Sequence, residues 1–538
     1  MDSSAVPLEL KWLLGSAILV YLVVIYGLGV WVRGQIRTAE DYVVAGRRLP
    51  LSLAWATLLA TWFGAGTMLA AADEVAKEGM HRAALDPLGA GVCLILAGLF
   101  FARPLWRMKL LTLSDFFRRR FGRLAEFISA CVMVPSYFGW VAAQLVGLAG
   151  TLSLYFGLPM VWGIVLTAIV GTGYTLLGGM WADTLTDALQ LVLLMVGLVL
   201  LAGQALWQLG QGNWWTGCQT LMDQLPPEAC LPIDISSLAG FYTWLTAFLI
   251  GALGNIPGQD LMQRIFSSKS ERVAQQACIL AGVLYLVLGM LPILLGLVAK
   301  VTFPEDFRRS VLPALAHLFF HPAVAVIFIL ALLSAVLSTI DSAILSPATV
   351  LAQNIVLRLM PRLPGLLVNE IAVLVVAGGS LALALTGETM YHLLEDAYEL
   401  TLVGLFVPLC LGLWTQRGGP LAATAAILTG SSLWILHYAA DWEIFFQPWA
   451  QAYLPDWLCW PSTIPVTLAG LAAYLLMSLW EPAGSLPAEA TPPSPLTYPQ
   501  FLASRRRASS KAVRACEDVS CNRPIIFRPM KNRPQAPG

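Results

Sequence analysis

The chain has 538 residues, of which 58% are hydrophobic and only 12% charged, with a formal net charge of zero. Its mean hydropathy is +0.72. A soluble domain carries about 25% charged residues, so a soluble enzyme or binding module is excluded, and the balanced charge alone points to no nucleic-acid partner.

Apolar runs of about 20 residues, the length that crosses a bilayer as a helix, recur thirteen times. They lie near 12–32, 50–72, 83–104, 124–153, 159–178, 184–207, 239–257, 273–299, 322–352, 366–386, 394–415, 420–440 and 462–480. Strands of a membrane barrel would be shorter and would alternate. The expected class is therefore an all-α membrane protein with about thirteen transmembrane helices. The first run is long, lacks a basic leader and is followed by Arg33 and Arg37, so it reads as a retained span and not a signal peptide.

Predicted helix 2 reads "LLATWFGAGTMLAA", with Gly64 and Gly66 at its middle. Helix 3 opens with Asp86 just before Pro87, and helix 4 carries Trp140. Gly178 and Gly179 end helix 5. Asp183 sits in the following turn, where it could cap helix 6. Asp187 comes a turn later, beside Gln190, either as a charge favoured near a helix start or as an ion ligand. The loop 206–238 has no Lys or Arg and contains Cys218 and Cys230, which either pair as a disulfide or remain two thiols. Helix 7 reads "FLIGALGNIPGQD", an Asn-Ile-Pro-Gly interruption five helices after the first break. Glycine loosens the backbone and proline removes a donor. Unpaired backbone at membrane depth is tolerated only where it lines a cavity or meets a ligand. Corresponding breaks in two halves are the sequence mark of an inverted-repeat transporter, here with repeats of helices 2–6 and 7–11.

Helix 9 contains "AVLSTIDSAIL". Ser334, Ser338, Ser342 and Ser346 recur every four residues, a drift of only about 40° per step around a helix. Thr339 and Asp341 lie near this stripe, while Val336, Leu337, Ile340 and Ile344 cover the opposite side. Hydroxyls alone could bond back to carbonyls or glue helices together. An intramembrane carboxylate is a functional hypothesis by default, unless Asp341 reaches water near a helix end. Hydroxyls and carbonyls without nitrogen or sulfur suit a hard cation. Adjacent Ser338 and Thr339, with carbonyls from an interrupted helix, would replace the hydration shell of sodium.

The basic residues set the expected orientation. Loops after helices 1, 3, 7, 9 and 11 carry seventeen Lys and Arg, Arg264 among them, and the tail adds nine; the other side has six. The positive-inside rule then places the N-terminus outside and the C-terminus in the cytoplasm. Residues 1–481 form the transporter domain, and 482–538, rich in Pro and Ala and then basic, read as a disordered cytoplasmic tail.

Four stretches taken together resemble the sodium:solute symporter family: "DYVVAGRRLP" before helix 2, "YTLLGGMWADTLTDALQL" at 174–191, "GQDLMQRIFSS" after the helix 7 break, and "STIDSAILSPATVLAQNI" in helix 9. They occur in the family's order, and the similarity covers about residues 10–480. The resemblance implies the leucine-transporter fold and a sodium site between the helix 2 break and helix 9. By position, that site is the carbonyls of Ala60, Phe63 and Ala335 with the hydroxyls of Ser338 and Thr339. An aspartate matching Asp187 serves sodium binding or coupling in some members. "ATWFGAG" at 60–66, "YFGWVAAQ" around Trp140 and "GNIPGQDLMQRIFSS" resemble the high-affinity choline transporter branch, where aromatic rings box a quaternary ammonium. Trp62 and Trp140 match two of those rings. The chain departs at the other two, which fall on Ala90 and Gly258. Asp86 could neutralise a cation instead, and Asn255 and Gln259 at the second break complete the candidate substrate set.

No enzyme constellation competes. The five histidines have no Cys or carboxylate partners at metal spacing, and "GTGYTLLGG" lacks the Lys and the strand of a phosphate-binding loop. The expected function is a sodium-coupled symporter of the plasma membrane, with sodium as coupling ion, importing a small organic solute such as an amine or zwitterion. A carboxylate or sugar is the alternative substrate. A membrane sensor or receptor on the same helices is the rival from another class, disfavoured by a tail too short to hold a signalling domain. No obligate protein partner is expected.

Overall fold

In the computed structural model the described residues are 7–33, 39–303, 310–319, 322–455 and 458–481. The tail 482–538, Arg37, Arg308 and Arg309 lie outside them. Twelve described helices are long and apolar enough to cross a membrane, and a bent pair raises the number to thirteen. In chain order they are span 1 (Leu8–Trp31), span 2 (Leu51–Trp62 and Gly66–Glu78), span 3 (Met80–Arg107), span 4 (Arg123–Phe156), span 5 (Met160–Leu177), span 6 (Gly179–Leu209), span 7 (Leu238–Ser267), span 8 (Glu271–Thr302), span 9 (Val324–Leu359), span 10 (Gly365–Ala384), span 11 (Met390–Trp414), span 12 (Pro420–Ala440) and span 13 (Thr463–Trp480). This agrees with the thirteen helices expected from the apolar runs. The boundaries differ most at span 7, which continues about three turns beyond the expected end at residue 257.

Both expected breaks are present. The halves of span 2 meet at 56°, and Phe63 leaves the helix at φ −85°, ψ 61°. Span 7 widens into a π-turn at Ile250–Gly254 and turns at 255–257; the backbone is extended at Gly258 before the helix resumes at Gln259. A third interruption lies in span 3, where Asp86 adopts an extended φ −145°, ψ 128°. The turn between spans 5 and 6 is made by Gly179 at φ 55°. A Cβ there would meet the Tyr42 ring at 2.6 Å, so glycine is required both for the backbone and for the space.

One face of the bundle carries the arginine-rich loops, and the other carries the helix Trp214–Gln224 in the long loop between spans 6 and 7. On the arginine-rich face the chain is stitched together. Leu49 N donates to Ser267 O at 3.0 Å and Lys269 N to Leu49 O at 3.0 Å. Gln263 Nε2 donates to Val43 O at 2.5 Å, and Trp106 Nε1 to Ser268 O at 2.8 Å. On the opposite face a cavity of about 1200 Å³ opens between spans 2, 4, 8 and 11, with Asp73, Glu74, Lys300, Gly147 and Tyr391 on its walls. Gly147 also packs against Ala65 at the span 2 break.

Cys218 and Cys230 are both free thiols, which resolves their alternative readings against a disulfide.

Candidate functional site

The residues proposed for sodium come together where spans 2, 6 and 9 meet. Thr339 Oγ1 donates to Thr61 O at 2.8 Å and to Ala335 O at 3.1 Å. Ser338 Oγ donates to Asp187 Oδ1, and Thr57 Oγ1 to Asp187 Oδ2. Ala60, Phe63, Ala335, Ser338, Thr339 and Asp187 are all buried. The close approach of spans 2 and 9 depends on Gly64: a Cβ there would run into Thr339 Oγ1 and Gln144 Oε1. The break thus follows from the sequence "FGAG", and the hydroxyl stripe of span 9 lies directly against it.

Two open readings of the acidic residues are decided here. Asp183 does not cap a helix. It is buried in the second turn of span 6, where Arg264 Nη2 reaches its Oδ2 at 2.8 Å and Ser342 Oγ bonds both its oxygens at 3.0 and 3.1 Å. Asp341 does not reach water; its carboxyl contacts Asp183 and Thr175 inside the bundle. Arg264, counted among the loop charges, is only 1% exposed and stands 3.7 Å from Asp187. It also donates to Ser342 Oγ and to Asp260 O. The reason is the length of span 7, which carries Arg264 inside the protein instead of leaving it in a loop. A buried carboxylate needs a paired charge or several donors to remain ionised, and Arg264 serves Asp183 and Asp187 together.

The substrate candidates separate into two groups. Trp62 donates through its indole Nε1 to Asp260 Oδ2 at 2.6 Å. Tyr137 OH donates to Asp260 Oδ1 at 2.5 Å. The Tyr137 ring lies 5.6 Å from Trp140, which lies 6.4 Å from Tyr398. Asp86 accepts from Tyr285 OH at 2.8 Å and from Thr67 Oγ1 at 3.0 Å. Asn255 is hydrogen-bonded to Tyr398. These residues surround the two breaks. Gln259 does not join them: its Oε1 accepts from Leu113 N at 2.8 Å. That bond ties span 7 to the short helix Leu113–Phe121 on the arginine-rich face. The backbone is extended at Gly258, which turns the first residue of the resumed helix away from the break.

The positions expected to lack aromatic rings are filled differently. Ala90 is buried among its neighbours. A side chain at Gly258 would meet Asp260 Oδ1 at 2.9 Å and Tyr137 OH at 3.4 Å, so the Tyr137–Asp260 pair occupies that space. Asp260, Tyr137, Tyr285, Tyr398 and Gln144 were not among the expected site residues. One signal for them was legible: Asp260 and Arg264 are opposite charges at helical i,i+4 spacing just after a break on a membrane segment.

The model of the sodium:solute symporter family matches residues 42–430. The human high affinity choline transporter 1 is 28% identical over 469 residues, covering 82% of this chain and 79% of that protein. The corresponding protein of Caenorhabditis elegans is 27% identical over 460 residues, with 77% and 76% covered. A sodium/glucose cotransporter of Vibrio parahaemolyticus is 25% identical over 365 residues, covering 62% of this chain and 67% of that protein. Among solved structures, the substrate-bound outward-open state of a Na+-coupled sialic acid symporter superposes with a TM-score of 0.72 at 18% identity, covering 88% of this chain and 98% of that one. Mhp1, a nucleobase-cation-symport-1 family transporter, gives a TM-score of 0.54 at 14% identity, over 83% and 95% of the two chains. The shared fold is the leucine-transporter-type inverted repeat that the two breaks imply.

Proposed function

Because this chain belongs to the sodium:solute symporter family, we propose that it is the sodium-coupled importer of a small organic amine, working at the plasma membrane with its N-terminus outside. The observation that carries this reading is the meeting of Asp187, Ser338 and Thr339 with the broken span 2, beside a second polar cluster built of aromatic rings and carboxylates. The hydroxyls of Ser338 and Thr339, the carboxylate of Asp187 and the carbonyls of Ala60, Phe63 and Ala335 are the oxygen donors a sodium ion requires. The substrate lies between the breaks of spans 2 and 7, near Trp62, Trp140, Asp86 and Asn255. Aromatic faces attract an ammonium, and the choline transporter names of several relatives agree with that chemistry.

Sodium couples to substrate through the geometry of span 2. The same short break that meets Thr339 also positions Trp62, so an ion that holds spans 2 and 9 together pre-forms the amine site. Reciprocal coupling of this kind is typically about 1–3 kcal/mol. With the arginine-rich face closed and the cavity of about 1200 Å³ on the opposite face, the solute enters from the side of the Trp214–Gln224 helix.

The test is uptake by purified protein in proteoliposomes under an inward sodium gradient, with choline and other amines beside amino acids, sugars and carboxylates. Sodium-dependent accumulation of an amine supports the reading. Accumulation of only sugars or amine-free carboxylates rejects the amine and keeps the symporter; binding without accumulation favours a sensor.

A further inference from the structure

We propose that the transported solute carries two ammonium groups, one held by Asp86 and the other by Asp260, with its chain lying along Trp62. The inference rests on the reading that an amine is bound at the breaks, and it names the class of amine.

The two carboxylates stand at opposite ends of one tryptophan. Tyr285 OH bridges Asp86 Oδ1 (2.8 Å) and the main-chain carbonyl of Trp62 (3.0 Å). At the other end the indole Nε1 of the same Trp62 reaches Asp260 Oδ2 at 2.6 Å. Their separation is therefore at most the length of a tryptophan residue plus one hydrogen bond at the Asp260 end and two, through the Tyr285 hydroxyl, at the Asp86 end, a span within reach of a short alkyl diamine.

Neither carboxylate has a cationic side chain within ion-pair distance among the described residues, although the Arg264 charge acts on Asp260 from one turn away. The donors to Asp86 are the hydroxyls of Tyr285 and Thr67. Those to the Asp260 carboxylate are the Tyr137 hydroxyl, the Trp62 indole and the Leu261 main-chain N–H. Arg264 is one turn from Asp260, but it donates to the Asp260 main-chain carbonyl at 3.2 Å and gives its ion pair to Asp183. A carboxylate offers about four lone-pair positions, so both keep room for another donor. Asp86 is 7% exposed and Asp260 2%. A carboxylate this deeply buried stays ionised only with a compensating charge.

The balance of charge points the same way. Five aspartates (86, 183, 187, 260 and 341) are buried in the core around the breaks, against one buried arginine there, Arg264. Arg264 answers Asp183; Asp341 is hydrogen-bonded to Asp183, a bond between two carboxyls that needs a shared proton; and sodium at the span 9 hydroxyls answers Asp187, which leaves Asp86 and Asp260. A monoammonium would answer one of these two and leave the other without a counter-charge. A dication answers both.

The experiment uses the full-length protein in nanodiscs with saturating sodium. Binding is measured for the α,ω-diaminoalkanes from diaminopropane to diaminohexane, each beside the monoamine of equal chain length. The best diamine is expected to bind about tenfold or more tighter than its monoamine, because truncating one partner of a buried charge pair is costly. Asp260→Asn and Asp86→Asn should each reduce that preference to near unity, and Asp260→Glu should restore part of it. The sodium-induced rise in melting temperature reports whether each variant is folded. Choline or a monoamine binding as tightly as every diamine overturns the dication while leaving the amine importer intact. Absence of binding by any amine, with a sugar or carboxylate bound instead, overturns both.

Discussion

The Trp62 indole N–H is bonded to the Asp260 carboxylate at 2.6 Å, linking the two helix breaks directly. Trp62 ends the first half of span 2, and Asp260 lies in the first turn of the resumed span 7. Any movement of one break is therefore felt at the other. Trp62→Ala removes both the aromatic face and this bond, and should weaken amine affinity by about tenfold or more, as expected for a desolvated cation–π contact. Trp62→Phe keeps a ring but loses the bond, and should fall between Ala and wild type. Equal affinities for all three proteins would remove Trp62 from the substrate site.

Ser338→Ala and Thr339→Ala each delete one oxygen from the cluster at the span 2 break. A lost polar interaction in a buried site costs about 1–3 kcal/mol, so the sodium concentration for half-maximal uptake should rise by about fivefold or more. Surface expression serves as the control. Unchanged sodium dependence in both variants would place the ion elsewhere.

Asp187→Asn should weaken the sodium dependence of transport more than it weakens amine binding measured at saturating sodium. The carboxylate accepts from Thr57 and Ser338, whereas Trp62 bonds Asp260 and Trp140 lies against Tyr137 and Tyr398. A variant with wild-type sodium dependence would reduce Asp187 to a partner of Arg264.

Arg264→Ala leaves the Asp183 and Asp187 carboxylates without their cation. Breaking a buried ion pair by removing one partner costs about 3–5 kcal/mol, so the detergent-solubilised protein should melt at a markedly lower temperature. Combining Arg264→Ala with Asp183→Asn should recover part of the loss, since the two residues share one interaction. Purely additive losses would show that the 2.8 Å pair does not carry the effect.

The free thiols Cys218 and Cys230 offer a direct test of orientation. In intact cells a membrane-impermeant maleimide should label the exposed Cys218. A Cys218→Ser, Cys230→Ser double variant should lose the label assigned to this loop. Labelling of Cys218 only after permeabilisation would place the arginine-rich face outside and reverse the proposed topology.

The number of spans, both helix breaks and the hydroxyl stripe of span 9 were legible in the sequence because each is a local property. An apolar run long enough to cross a bilayer is counted along the chain. Glycines beside an Asn-Ile-Pro-Gly cluster interrupt a helix wherever they occur, and residues four apart share a helical face. Asp187 and Ser338 could be named as separate oxygen donors on the same grounds. Their bond to one another is between residues 151 positions apart, and no periodicity expresses it.

The tertiary structure alone decided which charges are paired. Arg264 reads as a loop residue until span 7 is seen to continue past its break; only then does it fall between Asp183 and Asp187. Gln259 and Asp260 are neighbours in sequence, yet the helix that begins at Gln259 sends one side chain to Leu113 on the arginine-rich face and the other to Trp62 at the site. The physical reason is common to both. Composition and spacing determine what a segment can bury, while the energy of a buried charge depends on the few atoms around it, and those atoms come from distant parts of the chain.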